Sequence, residues 1–378
     1  MVNPELQEWE VRNLDTLDRS ELQLVSDFLN NQFPGVFYPE CTPEMFQWKL
    51  GPSNPAGRGF ISAAICQGQV IGIVSLTRKN MIKNGVPIAV VEVGDVYTHP
   101  QFRRGGKCIS PIEHLDLNDI YYEKSIFGRL VAETLFRAKL NGVKFVYGTP
   151  NAMARPSYLK RLNFLECGGE RIYSKYLLTK HFKPSPMLSP LIKILSRTNQ
   201  TFCRFLTKIY FGKNAIIEVQ GKEVLTGSNL NQSSVSSDPN QLEMFIDNEY
   251  VLNRYIEHPT LKYSFYRVSS RKSTLGFVIA TEIVRASGIR TLVISDWITL
   301  KPEFTKKFNL IIGSLRVFSR KAQTISLWQI GRIPRYNYFL SGIFSTKSVS
   351  IVGKSLDDQT PTSDFIFSDF RFGWSDNG

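Results

Sequence analysis

Over its first 180 residues the chain switches repeatedly between two hydrophobic rhythms. "DRSELQLVSDFLNNQF" (18–33) spaces apolar residues three and four apart behind an Asp/Ser start, which predicts a capped amphipathic helix. "GFISAAICQGQVIGIVSLTRK" (59–79) reads as two short strands joined at a Gln67-Gly68-Gln69 turn, and "PIAVVEVGDVYTH" (87–99) as a strongly β-branched strand. "SIFGRLVAETLFRAKLNG" (125–142) sets Ile126, Leu130, Val131, Leu135 and Leu140 along one helical face, with Gly142 placed to end the helix. "VKFVYGTPN" (143–151), "ARPSYLKRLNF" (154–164) and "ERIYSKYLL" (170–178) follow as strand, short helix and strand. This alternation predicts α/β structure.

The rest of the chain repeats that order coarsely. "LKYSFYRVSS" and "TLGFVIATEIV" look like paired strands, "IRTLVISDWITL" is a β-branched strand, and "EFTKKFNLIIGSLRVFSRKA" is a helix. "TISLWQI", "RYNYFLSGIF" and "STKSVSIVG" complete the set as strand, short helix and strand. The match is one of element order rather than of residues, and the second copy lacks an Arg-x-x-Gly turn. A polar, turn-rich break at 226–241 separates the halves. The expected domains are 1–180, a connecting helix within 181–225, and 226–378.

That connecting helix is basic, with six Lys/Arg and no acid across 181–217. At about 100° per residue, Lys193, Arg197, Arg204 and Lys208 fall within roughly 60° of one another. Leu191, Ile194, Leu195, Phe202, Phe205, Leu206 and Ile209 take the other side. The favoured reading packs that apolar side on a core, with the lysines solvated opposite. The other reading rests residues 188–211 on anionic lipid or on a polyanionic acceptor.

Bulk properties narrow the class. An apolar fraction of 42% and a charged fraction of 21% are ordinary for a soluble globular protein. No window approaches the roughly 18 apolar residues of a membrane span. Five scattered cysteines without a CxxC, and only four histidines, argue for reduced thiols in a cytoplasm and against a metal site. The net charge of +13 is concentrated in the second half, which suits a polyanionic partner such as tRNA or an anionic surface.

Candidate chemistry gathers between the third strand and the following helix. "FRRGGK" ahead of a helix start supplies glycines, guanidinium groups and unpaired amides together, the components of a phosphate-binding turn. "VGDVYTHPQFRRGGK…SIFGRL", joined to "VYGTPNAMARPSYLKRLNF", resembles the acyl-CoA motif pair of the GNAT N-acyltransferase superfamily. In that family a strand with a D-V-x-x-x-P-x-[FY]-R pattern leads to Arg-x-x-Gly-x-Gly/Ala and a helix. A second motif, Asn-x-x-Ala-x-x-x-Tyr, ends in Gly-Phe; Asn151, Ala154, Tyr158 and Phe164 match it. The resemblance covers about residues 9–180 and implies a mixed central sheet of GNAT type flanked by helices. A second, GNAT-like half downstream would be as in tandem-GNAT proteins of bacterial envelope and polysaccharide pathways.

The resemblance also implies roles. Acetyl-CoA or another acyl-CoA is the expected co-substrate, without a metal. Backbone groups of Val96 and Tyr97 would hold the pantetheine arm, and Asn151 would bind it from the neighbouring strand. Arg103, Arg104, Gly105 and Gly106, with the amides of Ser125, Ile126, Phe127 and Gly128, would hold the pyrophosphate. Tyr158 would protonate the departing thiolate, for which a phenol neutral at pH 7 is suited. A carboxylate would take the amine's proton. Asp95 and Glu92 are the candidates, and their spacing of three on a strand predicts opposite faces, with Asp95 preferred. The acceptor would be a small-molecule or sugar amine in the cleft between the halves. Aminoacyl-tRNA as donor, or a non-catalytic binding module, are the other readings.

Three departures stand out. Cys108–Lys124 is inserted into the phosphate loop, Ser125 replaces a glycine before "IFGRL", and Asn163 replaces the glycine of the terminal pair. The insertion brings Glu113, Asp116, Asp119 and Glu123, which must turn outward if an anion is to bind.

Overall fold

The structure is a computed structural model that describes residues 8–33, 41–103, 106–110, 125–176, 201–202, 205–212, 215–227, 241–270, 273–284, 288–315, 322, 324–330, 344–367 and 370–371. The first segment contains strands β1 (Glu8–Asn13), β2 (Phe60–Cys66), β3 (Gln69–Lys83), β4 (Val86–Thr98), β5 (Lys107–Cys108), β6 (Phe145–Gly148) and β7 (Leu165–Tyr176). Its helices are α1 (Arg19–Gln32), α2 (Pro43–Leu50), α3 (Ile126–Leu140) and α4 (Arg155–Arg161).

Local chemistry explains the boundaries. Asp18 caps α1 by accepting from the amides of Ser20 and Glu21. The β2–β3 turn puts Gln67 and Gly68 at φ 50° and 77°, and Gly142 at φ 77° ends the α3 run. Helix α2 and strand β1 were not foreseen from the pattern. A signal for α2 existed in "TPEM", where Thr42 accepts from the Met45 amide and Pro43 opens the first turn.

The second segment adds β8 (Ile216–Val219), β9 (Gln241–Met244), β10 (Tyr263–Ser270), β11 (Ser273–Val284), β12 (Arg290–Thr299), β13 (Thr324–Ile330) and β14 (Phe344–Ser355). Its helices are α5 (Gly221–Gly227), α6 (Asn248–Val251), which continues as a π-turn over Leu252–Ile256, α7 (Pro302–Lys306) and α8 (Phe308–Leu315). The single helix predicted over 303–322 is therefore broken at Lys307, and the short helix predicted at 335–344 falls almost wholly outside the described residues.

One mixed sheet runs through both segments in the order β5-β1-β2-β3-β4-β6-β14-β7-β13-β12-β11-β10-β8. Apart from β5, the order reads alike from either end, with β1 to β4 and β6 matched by β8 and β10 to β13. The last strands are exchanged: β14 pairs with β6 and β7, and β7 pairs with β13, all antiparallel. Two packed faces cover the first-half sheet. Ile61, Ala63, Ile65 and Ile73 meet α1 and α2, while Val74, Leu76, Val91 and Val93 meet α3 and α4.

Candidate active site

The parallel pair β4–β6 is short. It joins Val90, Val91 and Glu92 to Phe145, Val146 and Tyr147, then the strands part, with β6 ending at Gly148 and β4 continuing to Thr98. On its other side β4 stays paired with β3, through a bulge. The register steps from Ser75–Gly94 to Ile73–Tyr97, so Asp95 and Val96 together oppose Val74. Asp95 takes φ +24°, a backbone value that residues with a side chain rarely adopt.

The bulge overturns the expectation that Glu92 and Asp95 point to opposite faces. Glu92 meets the Lys79 ammonium at 3.4 Å, and Asp95 accepts from Ser75 Oγ at 2.8 Å and from Lys49. Ser75 and Lys79 lie four apart on β3 and so share a face. The extra residue shifts the alternation by one and brings both carboxylates to the α1–α2 side. Both ion pairs are buried: Lys49 and Lys79 side chains are 2% and 7% exposed, Asp95 12% and Glu92 0%. Lys49, on α2, is the site residue the sequence reading missed. Nothing in "QWKLG" marks a buried lysine, because α2 itself was not recognised.

Tyr158 lies on the opposite face. It is 4% exposed and packs edge-on against Phe127 and Phe164, with centroids at 5.7 and 5.3 Å. Burial pushes its phenol well above the usual tyrosine value, so it stays neutral at pH 7. A methyl built on Gly148 would stand 3.5 Å from Val93 and 3.9 Å from the Tyr158 ring. The phenol ring therefore sits where β6 ends and the strands part. A neutral acid on one face and two lysine-held carboxylates on the other flank one opening in the sheet.

Asn151 turns inward to its own turn. Its Oδ1 accepts from the amides of Met153 and Ala154, capping the approach to α4. Ser125 likewise caps α3 by accepting from Gly128 at 3.0 Å. This explains a serine where a glycine was expected, and it commits the Gly128 amide, leaving those of Ile126 and Phe127 without an acceptor among the described residues. Arg103 donates to Thr98 O at 3.2 Å and lies 5.6 Å over the Tyr97 ring, whose other neighbours are Phe28 and Phe33. Val96 packs against the α3–α4 core. Gly106 has φ 90°. Arg104 and Gly105 are outside the described residues.

The first residues of the insertion turn away from the site. Lys107 and Cys108 form β5, parallel to Glu8 and Trp9 at the outer edge of the first-half sheet, and Val11 donates to Ser110 Oγ at 2.7 Å. The order β5-β1-β2-β3-β4 places this strand four positions from the β4–β6 opening. Residues 111–124, with their four acids, fall outside the described part.

A cleft opens on the carboxylate face, between the halves. Lys49, Thr77 and Lys79 line one wall, and Met244, Asp247 and Arg254 the other. Thr77 Oγ1, in a residue 3% exposed, has no hydrogen-bond partner among the described residues. Trp48 staples the walls: its indole donates to Asn253 O at 2.9 Å, with His258 4.3 Å away and Arg254 5.3 Å over the ring.

No family model matches the sequence, and no curated protein does. Solved structures do match. One is a conserved protein of unknown function from Enterococcus faecalis V583, described as a probable N-acyltransferase. It is 14% identical with TM-score 0.56, the alignment covering 92% of this chain and 73% of that one. A GCN5-related N-acetyltransferase from Anabaena variabilis matches at 12% identity and TM-score 0.56, with the same coverages of 92% and 73%. N-myristoyltransferase of Saccharomyces cerevisiae, solved with myristoyl-CoA, matches at 11% and TM-score 0.56, over 91% of this chain and 79% of that one. With its parted central strands, its bulge and this likeness along nine-tenths of its length, the chain has the fold of the GCN5-related N-acetyltransferases.

Proposed function

We propose that the protein moves an acyl group from acyl-CoA to an amine by direct attack in a ternary complex. The observation that carries this reading is the opening between β4 and β6, flanked by a buried neutral phenol on one face and two carboxylates on the other. The pantetheine arm then lies along Val96 and Tyr97 as an added strand. The pyrophosphate meets the amides of Ile126 and Phe127, with Arg103, Arg104, Gly105 and Gly106 beside them. Asn151, its oxygen engaged, offers the arm only its amide nitrogen.

In this reading the amine nitrogen attacks the thioester carbonyl, the carbon–sulfur bond breaks, and the thiolate takes the Tyr158 proton. The proton lost by the amine goes to Asp95, with Glu92 next along the same face. The acceptor, a small-molecule or sugar amine, comes from the cleft between the halves, whose wall ends at Lys49 and Thr77. Holding donor and amine together supplies much of the acceleration.

The test is a thermal-shift series with acetyl-CoA and longer acyl-CoAs, followed by acyl-CoA turnover with a panel of amines. A shift that grows with one chain length identifies the donor. Absence of any shift at saturating acyl-CoA would overturn the reading in favour of a non-catalytic binding module.

A further inference from the structure

The basic connecting segment is oriented opposite to the favoured sequence reading. Helical residues 205–211 are anchored by Thr207, whose hydroxyl lies 2.6 Å from that of Ser314 on α8, and by Phe211, buried in the second-half core. On a helix these two positions share a side. The opposite side is apolar and faces outward: Phe202, Phe205 and Ile209 are 48%, 59% and 59% exposed, and Tyr210 beside them is 51% exposed. Among the described residues, Phe202, Phe205 and Tyr210 are the only exposed aromatic side chains. Their clustering within nine residues sets this face apart from singly scattered surface hydrophobics.

Cations border the patch. Lys208 is exposed in the same helix, and Lys307 places its ammonium 3.9 Å over the Tyr210 ring, with exposed Lys306 next to it. The sequence from 181 to 217 has no acid at all to oppose an anionic partner. Aromatic and aliphatic side chains pointing outward, rimmed by lysines, match the layering of a lipid interface, with apolar groups at the acyl boundary and cations among phosphates.

We propose that this face seats the protein on an anionic phospholipid surface, with Phe202, Phe205 and Ile209 entering the interface and Lys208, Lys306 and Lys307 at the headgroups. This inference is independent of the acyl-transfer chemistry, since Thr207 and Phe211 belong to the second-half packing and, among the described residues, no contact joins the patch to the site residues.

The experiment is co-sedimentation of the full chain with phosphatidylcholine vesicles, with and without phosphatidylglycerol. Binding is expected only to the anionic vesicles, weakened about tenfold by F205S/I209S and by K208E/K307E, and reduced by raised salt. All four positions are exposed or half-exposed, and an unchanged melting temperature shows that the variants fold. No binding to anionic vesicles overturns the proposal, as does equal binding by wild type and both variants. Light scattering on the same samples closes the remaining route. A concentration-dependent dimer abolished by F205S/I209S, without vesicle binding, makes the patch a contact between copies instead.

Discussion

Strands β4 and β12 are built alike and used differently. Each contains a bulge beside an aspartate that follows a small residue, Gly94-Asp95 in one and Ser295-Asp296 in the other, and each pairs the threonine three positions after the aspartate with a glycine: Thr98 with Gly72, Thr299 with Gly276. Each aspartate is met by a side chain from the helical segment that leads into the hairpin of its half, β2–β3 or β10–β11. Lys49 reaches Asp95, and the Tyr255 hydroxyl donates to Asp296 at 2.8 Å. The surroundings then diverge. Asp296 is 1% exposed and its second oxygen accepts from the Trp297 amide. Helix α7 begins at once, placing the Phe304 ring 2.7 Å from where a Gly276 methyl would stand, and Trp297 packs at a tilt against Phe308 at the head of α8, with ring centroids 4.5 Å apart. In the first half aliphatic Ile126 at the head of α3 takes the place of the ring, 2.8 Å from where a Gly72 methyl would stand, and among the described residues the amides of Ile126 and Phe127 have no acceptor. One bulged frame therefore holds its aspartate against a buried lysine in the first half, and against a phenol within aromatic core in the second.

The largest test of that asymmetry is Tyr158→Phe. Loss of a positioned proton donor is expected to slow acyl transfer about 10²–10⁴-fold, read as single-turnover rates at saturating acyl-CoA, while the acyl-CoA thermal shift persists. Retained activity would remove the phenol from the chemistry and leave the first bulge no more catalytic than the second.

Next in size is Lys49→Met, which strands the Asp95 carboxylate in a buried site and should cost about 3–5 kcal/mol in urea unfolding. Adding Asp95→Asn should return most of that loss, because the carboxamide needs no counter-charge and asparagine tolerates the positive φ. Transfer should stay low in the double variant. If the single variant melts like wild type, the buried pair is not what holds α2 to the bulge.

In the second half Tyr255→Phe removes the phenol from Asp296 and should cost about 1–3 kcal/mol. It should leave transfer per folded molecule almost unchanged. A rate collapse matching that of Tyr158→Phe would make the second bulge part of the machinery and break the comparison.

Much of this was legible in the residues. Asp18, Gly68 and Gly142 set their elements by local chemistry, and β4, α3 and α4 fell where "GDVYTHP", "SIFGRL" and "ARPSYLKRL" predicted. What stayed hidden was non-local. The exchange of β7 and β14 depends on pairing between residues almost two hundred apart, which no local period encodes. The bulge rests on one φ angle, and with it went the parity argument for Glu92 and Asp95. The halves also match more closely than element order suggested, since Gly72, Asp95 and Thr98 find counterparts in Gly276, Asp296 and Thr299. That signal was present but is visible only once the strands are registered. Exposed Phe202, Phe205 and Ile209 were misassigned because an amphipathic pattern shows two faces without showing which one is buried.

The smallest effect lies in alkaline stability, and there the halves should behave alike. Burial raises the Tyr158 and Tyr255 phenols, so the folded chain holds those protons more tightly than the unfolded chain, which releases them near pH 10. Their contribution is therefore complete below about pH 10 and is lost as pH rises toward the folded values, by about 1.4 kcal/mol per pH unit for each group. Cys41 and Cys167, pushed from 9.0 up to about 12 chiefly by burial, add a loss of the same sign between those values. Urea midpoints measured from pH 8 upward should fall along this limb, and Tyr158→Phe and Tyr255→Phe should each flatten it by a similar amount. Only the first should also stop transfer. If Tyr158→Phe leaves the slope untouched, its phenol is not withdrawn from water, and the physical basis for its remaining a neutral acid in the opening is lost.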